Sequence, residues 1–484
     1  MRPYRSPIRL PSPWFAAAVV ATAAYAAVLS TASIEKHDRF GSYGYDLGIF
    51  SQAIWLLSHG HAPFSTIRGR DLFADHFQPG LALLAPLGRL DLPTAVLVLQ
   101  SVLLALPAPL LFVLARQRGA RRPLALGVSL LWLASPLTQW PNLFDFHPET
   151  AVPLLMVLGA VLLERERTAA FVFSAVLACS FKEDVPLVYA MWGIVLWLEG
   201  RRRFGAALTS GAVAWTVLAF AVAIPTEGGN LAYYSQRFAG TRGSSVGDVF
   251  RGLIEHPIAA LDTASTGANA RIVIALLLTS GGLALLAPRY LLLALPGTAA
   301  NILSAYPPQH DLHLQYQLIP AAGMAIAGAY GAGVLSLRAP RRVGEAVAAL
   351  LVAAAVGITI VKSPGIHALE SAAPATAPAK RAALALIPAG AVVAAAPDLA
   401  PHLATRFGIY QLPEPFLFLA GNGQYWSPAD LRARVPTVRY VIDDGDTRRP
   451  YAARLMRALR PRFPGMGFTL LYSRDGVRLW RRAE

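Results

Sequence analysis

The sequence predicts an α-helical polytopic membrane protein that carries a small soluble α/β domain at its C-terminal end. Of the 484 residues, 55% are hydrophobic and only 15% are charged, whereas a soluble domain usually has about 25% charged residues. The mean hydropathy is +0.46, and the apolar residues form blocks that are too long for an ordinary core. These values exclude a soluble globular enzyme and a disordered chain, and the single cysteine, Cys179, excludes a disulfide scaffold.

Eleven apolar segments are candidates for transmembrane helices, which need roughly 20 residues to cross a bilayer. They lie near 14–32, 94–115, 123–139, 149–163, 168–181, 185–199, 204–224, 271–287, 290–305, 315–337 and 343–361. We therefore assign residues 1–364 to a transmembrane domain with two long outer loops, at about 33–80 and about 226–270.

The distribution of arginine predicts the orientation, because short cytoplasmic loops carry an excess of Lys and Arg. If the N-terminus is cytoplasmic, every second short loop is rich in arginine, as at 116–122, 165–167 and 201–203. The short loops around Asp145 and His310, on the other face, have neither Lys nor Arg. The net charge of +15 therefore reflects topology in the plasma membrane, together with a basic C-terminal domain outside it. Nucleic acid is not the partner that this charge indicates.

Residues 365–484 differ in composition from the rest of the chain and predict the extracytoplasmic α/β domain. Strands are predicted at 390–396, 408–412 and 439–442, and a helix is predicted at 451–459. The runs 468–472 and 477–480 flank Asp475-Gly476, which is a strong signal for a β-hairpin turn.

Acidic, histidine and other polar side chains converge on the outer face, at the ends of the predicted helices. Ionisable groups near a bilayer are costly unless they are paired or functional. Because five separate segments converge there, we expect a polar cavity at this face. The candidate site residues are Tyr45, Asp46, Asp75, His76, Gln78, Asp145, His147, Glu149, Lys182, Glu183, Asp184, His310, His313 and Tyr316.

Each of these groups also has a purely structural explanation. Asp46 could cap the helix that follows it, and Glu149 could be a first-turn acid. The turn at Lys182 could be a solvated salt-bridge cluster. His310 and His313 have a spacing that can bind metal on a helix, although their loop is too irregular to favour a metal. No P-loop, nucleophile elbow or H-E-x-x-H motif is present in the sequence.

Four motifs resemble those of an uncharacterised family of bacterial and archaeal polytopic membrane proteins, which is known as a domain of unknown function. The motifs are Tyr45-Asp46-Leu47-Gly48-Ile49-Phe50-Ser51-Gln52, Asp75-His76-Phe77-Gln78-Pro79, Phe146-His147-Pro148-Glu149 and Lys182-Glu183-Asp184. The C-terminal pattern Pro401-His402-Leu403-Ala404-Thr405-Arg406 before Ile409-Tyr410 is similar too. The resemblance covers nearly the whole chain, and it implies no particular activity.

The predicted layout also resembles the GT-C superfamily of integral membrane glycosyltransferases. The shared features are a cytoplasmic N-terminus, a long first outer loop with an early acidic residue, and a soluble outer C-terminal domain. This resemblance implies a polyprenyl-phosphate sugar as donor and a general base in the first loop, a role that falls on Asp46. Many members have two adjacent acids there, whereas this chain has Tyr45-Asp46-Leu47.

Transfer from a lipid phosphate to a carbohydrate or lipid acceptor needs a base for the acceptor hydroxyl and groups that stabilise the departing phosphate. The candidates for phosphate contact are Lys182, His147, His313 and Tyr316. The candidates for contact with sugar hydroxyls are Asp145, Glu149, Glu183 and Asp184. The lipid tail would lie among the apolar helices. No cofactor is required by this chemistry, and a divalent metal is left open.

Two other functions are consistent with the sequence. A transporter or flippase of lipid-linked sugars would place its substrate groups near the middle of the bilayer, and a membrane scaffold could keep the architecture without the base. Because the ionisable groups lie at helix ends on one side, the sequence favours a glycosyltransferase that uses Asp46 as its general base.

Overall fold

The computed structural model describes residues 12–229, 235–238, 245–419, 425–445 and 450–483. Its N-terminal part is helical, and a five-stranded sheet occupies the C-terminal part. The first helix, α1 (Pro13–Asp38), begins where the Ser12 side chain accepts a hydrogen bond from the backbone N–H of Phe15. At 26 residues, α1 is about 39 Å long, which exceeds the thickness of the hydrocarbon core of a bilayer.

The described residues before 364 form the following further helices. They are α2 (Ile49–Ser58), α3 (Leu72–Asp75), α4 (Leu92–Ala105), α5 (Pro107–Gln117), α6 (Arg122–Ala134), α7 (Pro136–Phe144), α8 (Ala151–Glu164), α9 (Thr168–Cys179), α10 (Pro186–Leu198), α11 (Arg202–Leu218), α12 (Ile224–Thr226), α13 (Val246–Glu255), α14 (Pro257–Ala264), α15 (Gly267–Thr279), α16 (Leu295–Ile302), α17 (Leu318–Arg338) and α18 (Arg341–Lys362).

Several of these helices are apolar enough for a membrane, which confirms the predicted class. In the described part of the chain, five continuous helical segments are also long enough to cross it: Pro13–Asp38, Leu92–Gln117, Arg202–Thr226, Gln315–Arg338 and Arg341–Glu370. Three shorter apolar helices are α9, α10 and α15. The total of 11 spans stays a prediction.

Two predicted spans are shorter in the structure, and each has a local cause. The helix expected at 271–287 ends at Thr279, because Gly281 and Gly282 adopt positive φ angles of 58° and 76°. The helix expected at 290–305 is a 3₁₀ segment, Pro288–Leu293, followed by α16. Pro296 lies in the first turn of α16 and lacks an N–H, so it cannot continue a helix from the preceding segment.

The first outer loop folds into defined structure. A π-helical turn at Gly44–Gly48 leads into α2, a hairpin of β1 (Phe64–Ser65) and β2 (Arg70–Asp71) follows, and a 3₁₀ segment covers Pro79–Arg89. Asp46 lies inside the π-helical turn and caps no helix. The structural explanation of Asp46 as a helix cap is therefore wrong, and π-helical turns are frequent at functional sites.

The C-terminal domain contains a mixed sheet in the order β4-β3-β5-β7-β6. Its strands are β3 (Val393–Ala395), β4 (Ile409–Gln411), β5 (Tyr440–Asp444), β6 (Phe468–Arg474) and β7 (Val477–Arg482). Strands β3, β4 and β5 are parallel, whereas β6 and β7 form the predicted hairpin. Its turn residues, Asp475 and Gly476, have φ angles of 48° and 82°, as a two-residue hairpin turn requires.

The remaining helices of the chain are α19 (Pro364–Glu370), α20 (Ala377–Leu384), α21 (Pro428–Arg434) and α22 (Pro450–Leu459). The last of these matches the helix predicted at 451–459.

Hydrogen bonds attach the C-terminal domain to the first outer loop. The Thr66 hydroxyl donates to the backbone carbonyl of Ile409 at 2.6 Å and accepts from its N–H at 2.9 Å. Gln52 donates from its side-chain amide to the Thr66 hydroxyl at 2.9 Å, and the indole of Trp426 donates to the Thr66 carbonyl at 3.0 Å. Strand β4 is thereby fixed beside the turn that carries Asp46.

We expect Lys380→Met to destabilise the C-terminal domain by about 3–5 kcal/mol, because it leaves buried carboxylates without their cation. The Lys380 ammonium contacts Asp398 at 2.5 Å and also Asp444, and its side chain is only 5% exposed. Thermal unfolding of the purified, detergent-solubilised protein measures the effect. The exposed ion pair of Arg341 and Glu345 provides the control, since Arg341→Ala should leave the melting temperature unchanged. Equal melting of both variants would contradict this expectation.

Candidate active site

A cavity of about 990 Å³ lies between the outer loops and the C-terminal domain. All five segments that were expected to converge contribute predicted site residues to this cavity, at 45–46, 75–78, 147–149, 182–184 and Tyr316. Eleven of the fourteen predicted residues line this cavity: Tyr45, Asp46, Asp75, His76, Gln78, His147, Glu149, Lys182, Glu183, Asp184 and Tyr316.

The cavity lining contains both charged and apolar side chains. We define the polar wall as Asp46, Asp75, His76, His147, Glu149, Lys182, Glu183 and Asp184. We define the apolar wall as Phe220, Phe238, Val249, Phe250, Leu253 and Ile319. A ligand that fills this space must have a hydrophilic part and a hydrophobic part.

Asp46 and His147 form an ion pair within the polar wall. Nε2 of His147 lies 3.2 Å from Oδ1 of Asp46, and Nδ1 lies 3.2 Å from the backbone carbonyl of Asp145. An imidazole donates from both nitrogens only when it is protonated. Burial alone lowers the pKa of His147, but the hydrogen bond and charge of Asp46 raise the pKa above its usual value. The imidazolium therefore orients the Asp46 carboxylate, whose side chain is 27% exposed.

Gln100, on α4, holds the loop that carries His147. Its side-chain amide donates to the carbonyl oxygens of Asn142 and Asp145 at 3.0 and 2.9 Å. Its side-chain oxygen accepts from the backbone N–H of His147 at 3.0 Å. Because Gln100 is fully buried, these bonds are protected from water, and they fix His147 relative to Asp46.

Two further ion pairs hold acids of the polar wall, Glu149 and Asp75, against cations that line the cavity. The Lys182 ammonium lies 3.2 Å from Oε1 of Glu149, and both side chains are largely buried. Nη2 of Arg68 contacts Oδ2 of Asp75 at 2.6 Å and Oδ1 at 2.8 Å. Burial alone raises the pKa of the Asp75 carboxyl group. The attraction of the Arg68 guanidinium outweighs this effect, and the resulting pKa is lowered to about 2. Asp75 is therefore ionised at physiological pH.

A fourth ion pair joins His76 to Glu183, which lies 107 residues later in the sequence. Nδ1 of His76 lies 2.7 Å from Oε1 of Glu183. Burial lowers the pKa of His76, but the Glu183 carboxylate more than compensates, so the net shift is upward. The neighbouring Asp184 has a raised pKa, because burial outweighs the attraction of Lys182.

Three predicted site residues do not line the cavity. Asp145 is 1% exposed, and its two oxygens contact the Lys36 ammonium at 3.0 Å and the backbone N–H of Tyr43 at 2.9 Å. It therefore links α1 to the following turn, and the structure gives no support to its predicted contact with sugar hydroxyls.

The two histidines of the loop before α17 are also outside the cavity. His310 faces the backbone carbonyl of Asn301, whereas His313 is 57% exposed and pairs with Asp311. His310 ends one 3₁₀ turn (Pro307–His310), and His313 lies in the loop between this turn and the next, so the two do not share a helix face. The predicted phosphate contact by His313 is not supported. In the part of the chain that the structure describes, no group of three or more His, Cys, Asp or Glu is arranged to hold a metal ion.

The cavity residues that were not among the sequence candidates include three polar ones, Arg68, Arg237 and Gln411. The two arginines lie in the loops predicted to be outside, where the positive-inside rule does not account for them. An arginine in such a loop could therefore have been recognised from the sequence as a candidate site residue. The Arg237 guanidinium lies over the Tyr306 ring, 4.3 Å from its centroid. Nothing in the sequence distinguishes Gln411, which reaches the cavity from strand β4.

The apolar helices, with the cavity beside them, define a mostly helical protein of the membrane class. The chain is similar to a crystal structure of ArnT from Cupriavidus metallidurans bound to undecaprenyl phosphate, with 12% identity, 96% of this chain and 98% of that chain covered, and a TM-score of 0.50. A structure of the same ArnT in the apo state is 14% identical over 97% and 98% of the two chains, with a TM-score of 0.48.

The chain belongs to the DUF2079 family, described as "Predicted membrane protein", whose profile matches residues 36–477. The resemblance to an uncharacterised membrane protein family is thereby confirmed. No curated protein matches the sequence.

The raised pKa of His76 predicts a pH-dependent contribution to stability. The contribution of the His76–Glu183 pair is fully present below the usual histidine pKa of about 6.5, and it is lost as the pH rises through the raised pKa of the folded protein. The difference in melting temperature between wild type and His76→Gln should therefore be largest near pH 6 and should shrink at alkaline pH (about 9).

Glu183→Gln is the matched variant for this test. In a Glu183→Gln background, His76→Gln should change the melting temperature by the same amount at every pH. If the melting-temperature difference between wild type and His76→Gln grew with pH, the pair would stabilise the protein most at alkaline pH, and the prediction would be contradicted.

Proposed function

We propose that this protein is an integral membrane glycosyltransferase that transfers a sugar from a polyprenyl-phosphate donor to a carbohydrate or lipid acceptor. The observation that carries the proposal is the position of the Asp46–His147 pair, in the lining of a cavity that also carries many apolar side chains. The shared fold supports it, because ArnT is a glycosyltransferase of the GT-C class and its crystal structure contains undecaprenyl phosphate.

Asp46 acts as the general base in the proposed reaction. Its carboxylate accepts the proton of the acceptor hydroxyl while the hydroxyl oxygen forms a bond to the anomeric carbon of the donor sugar. The bond between that carbon and the phosphate oxygen breaks, and polyprenyl phosphate departs with the electron pair. His147 holds the Asp46 carboxylate in one orientation, so that the base is positioned before the acceptor arrives.

The apolar wall of the cavity suits the lipid of such a donor, and the polar wall suits its phosphate and sugar. The apolar wall accommodates the first isoprene units of the lipid, since burial of apolar surface is favourable by roughly 25 cal/mol per Å². The departing phosphate needs cationic or hydrogen-bonding groups. Lys182 and Tyr316 remain the sequence candidates for this contact, and Arg68 and Arg237 are further cations on the cavity lining.

The proposed reaction takes place at the outer face of the plasma membrane. The arginine-rich short loops then lie in the cytoplasm with the N-terminus, as the positive-inside rule requires. The C-terminal domain is extracytoplasmic and covers the cavity, where polyprenyl-linked sugars and envelope acceptors meet.

Asp46→Asn should lower the rate of transfer by about 10²–10⁴, because loss of a positioned base removes that much acceleration. The measurement compares cells that express wild-type or variant protein, by quantifying accumulated lipid-linked sugars and modified envelope glycans. Asp311→Asn is the control, since Asp311 is an outer-face acid that does not line the cavity. Identical glycan and lipid profiles for wild type and folded Asp46→Asn protein would exclude Asp46 as the base.

A further inference from the structure

Several buried oxygen atoms without partners belong to residues that line the cavity. Among the residues that the structure describes, Oε2 of Glu183, Oδ1 of Asp184, Oε1 of Gln315 and Oε1 of Gln411 are buried and have no hydrogen-bond partner. All four residues line the cavity. Buried polar atoms in proteins almost always have a partner, so a ligand is expected to supply hydrogen-bond donors to these oxygens.

Gln411 connects these acceptors to the catalytic turn. It is the last residue of β4 and is 3% exposed. A Cβ atom on Gly44 would lie only 2.5 Å from Oε1 of Gln411, so glycine at position 44 allows the Gln411 side chain to approach the turn that carries Asp46. The backbone N–H of Gly44 also donates to the carbonyl of Pro397 at 2.9 Å. The C-terminal domain thus contributes a polar group directly to the cavity.

The charges of the polar wall leave a surplus of carboxylate around Glu183 and Asp184. The Lys182 ammonium is already bound by Glu149, and His76 is bound by one oxygen of Glu183. An anionic group placed here would face the Asp184 carboxylate and the second Glu183 oxygen at close range. Like charges brought together in a buried site cost several kcal/mol, so such a ligand would be rejected.

We propose that Gln411, Glu183 and Asp184 bind the sugar headgroup of the substrate, and that they select a neutral or amino sugar against a sugar that carries a carboxylate. This inference rests on the proposed glycosyltransferase function and adds the substrate class to it. Hydroxyl and ammonium groups share the required chemistry, because both donate hydrogen bonds to carboxylate and amide oxygens. The selection is a difference of affinities that depends on an unfavourable contact with the wrong ligand.

Binding of four synthetic lipids to the purified full-length protein tests the proposal. The probes are undecaprenyl phosphate alone and the same lipid linked to glucose, glucosamine or glucuronic acid. We expect the glucose and glucosamine lipids to bind at least about tenfold more tightly than the glucuronic acid lipid. Tighter binding of the glucosamine lipid than of the glucose lipid would identify an ammonium contact, and equal binding would identify hydroxyl contacts.

Variants test the assignment to these residues. Asp184→Asn should reduce the discrimination against the glucuronic acid lipid, and Gln411→Leu should weaken the glucose lipid without weakening undecaprenyl phosphate alone. Gly44→Ala is a second way to displace the Gln411 side chain and should reproduce the Gln411→Leu effect. Asp311→Asn serves as the control and should bind all four lipids as wild type does.

Two results would overturn the proposal. One is equal or tighter binding of the glucuronic acid lipid, and the other is sugar-linked lipids that bind no more tightly than undecaprenyl phosphate alone. These results are distinct from failure of the proposed function. If the expected sugar preference is found but no acceptor is modified, the substrate class stands and the transferase activity does not.

Discussion

The cost of burying charge at the edge of a bilayer is the constraint on which the rest of this structure depends. An isolated charge in such a place is unfavourable by several kcal/mol, and it is tolerated only when a partner of opposite charge is in contact. Each pair on the polar wall satisfies this condition, and each joins separate parts of the chain: His147 with Asp46, Lys182 with Glu149, and His76 with Glu183. Ion pairing therefore assembles the outer loops around the cavity.

A second layer of buried hydrogen bonds determines how accurately the Asp46–His147 pair is positioned. Gln100 binds the loop before His147 through its whole amide group, and Asp145 ties the same loop to Lys36 on α1. Gln100 lies within an apolar helix, where an unsatisfied amide would be costly. Because every polar atom of its amide group has a partner, Gln100 is accommodated in this helix. Through Gln100, helix α4 helps to position His147 in the site.

The sequence predicts much of this arrangement, because the strongest signals are local. Apolar blocks predict helices and Asp475-Gly476 predicts the hairpin, whereas the orientation from the arginine pattern stays a prediction. Which polar groups pair with each other depends on contacts between residues far apart in the sequence, such as the 107 residues from His76 to Glu183. For the same reason local pattern could not separate His147, which lines the cavity, from Asp145, which is committed to Lys36. The contribution of Gln411 depends on domain packing, for which the sequence has no local signal.

The opposite end of the helices bears on the choice between transfer and transport. Tyr330 donates to Oε1 of Glu164 at 2.6 Å, and Arg118 contacts the other oxygen of the same carboxylate at 3.0 Å. The ring of Tyr330 stacks on that of Tyr290, with centroids 3.6 Å apart. A transport path would have to open at this end as well as at the polar wall, and it would have to separate these paired and stacked groups. Chemistry within the cavity requires opening at one face only, so the paired groups at the far end are compatible with catalysis and would oppose translocation.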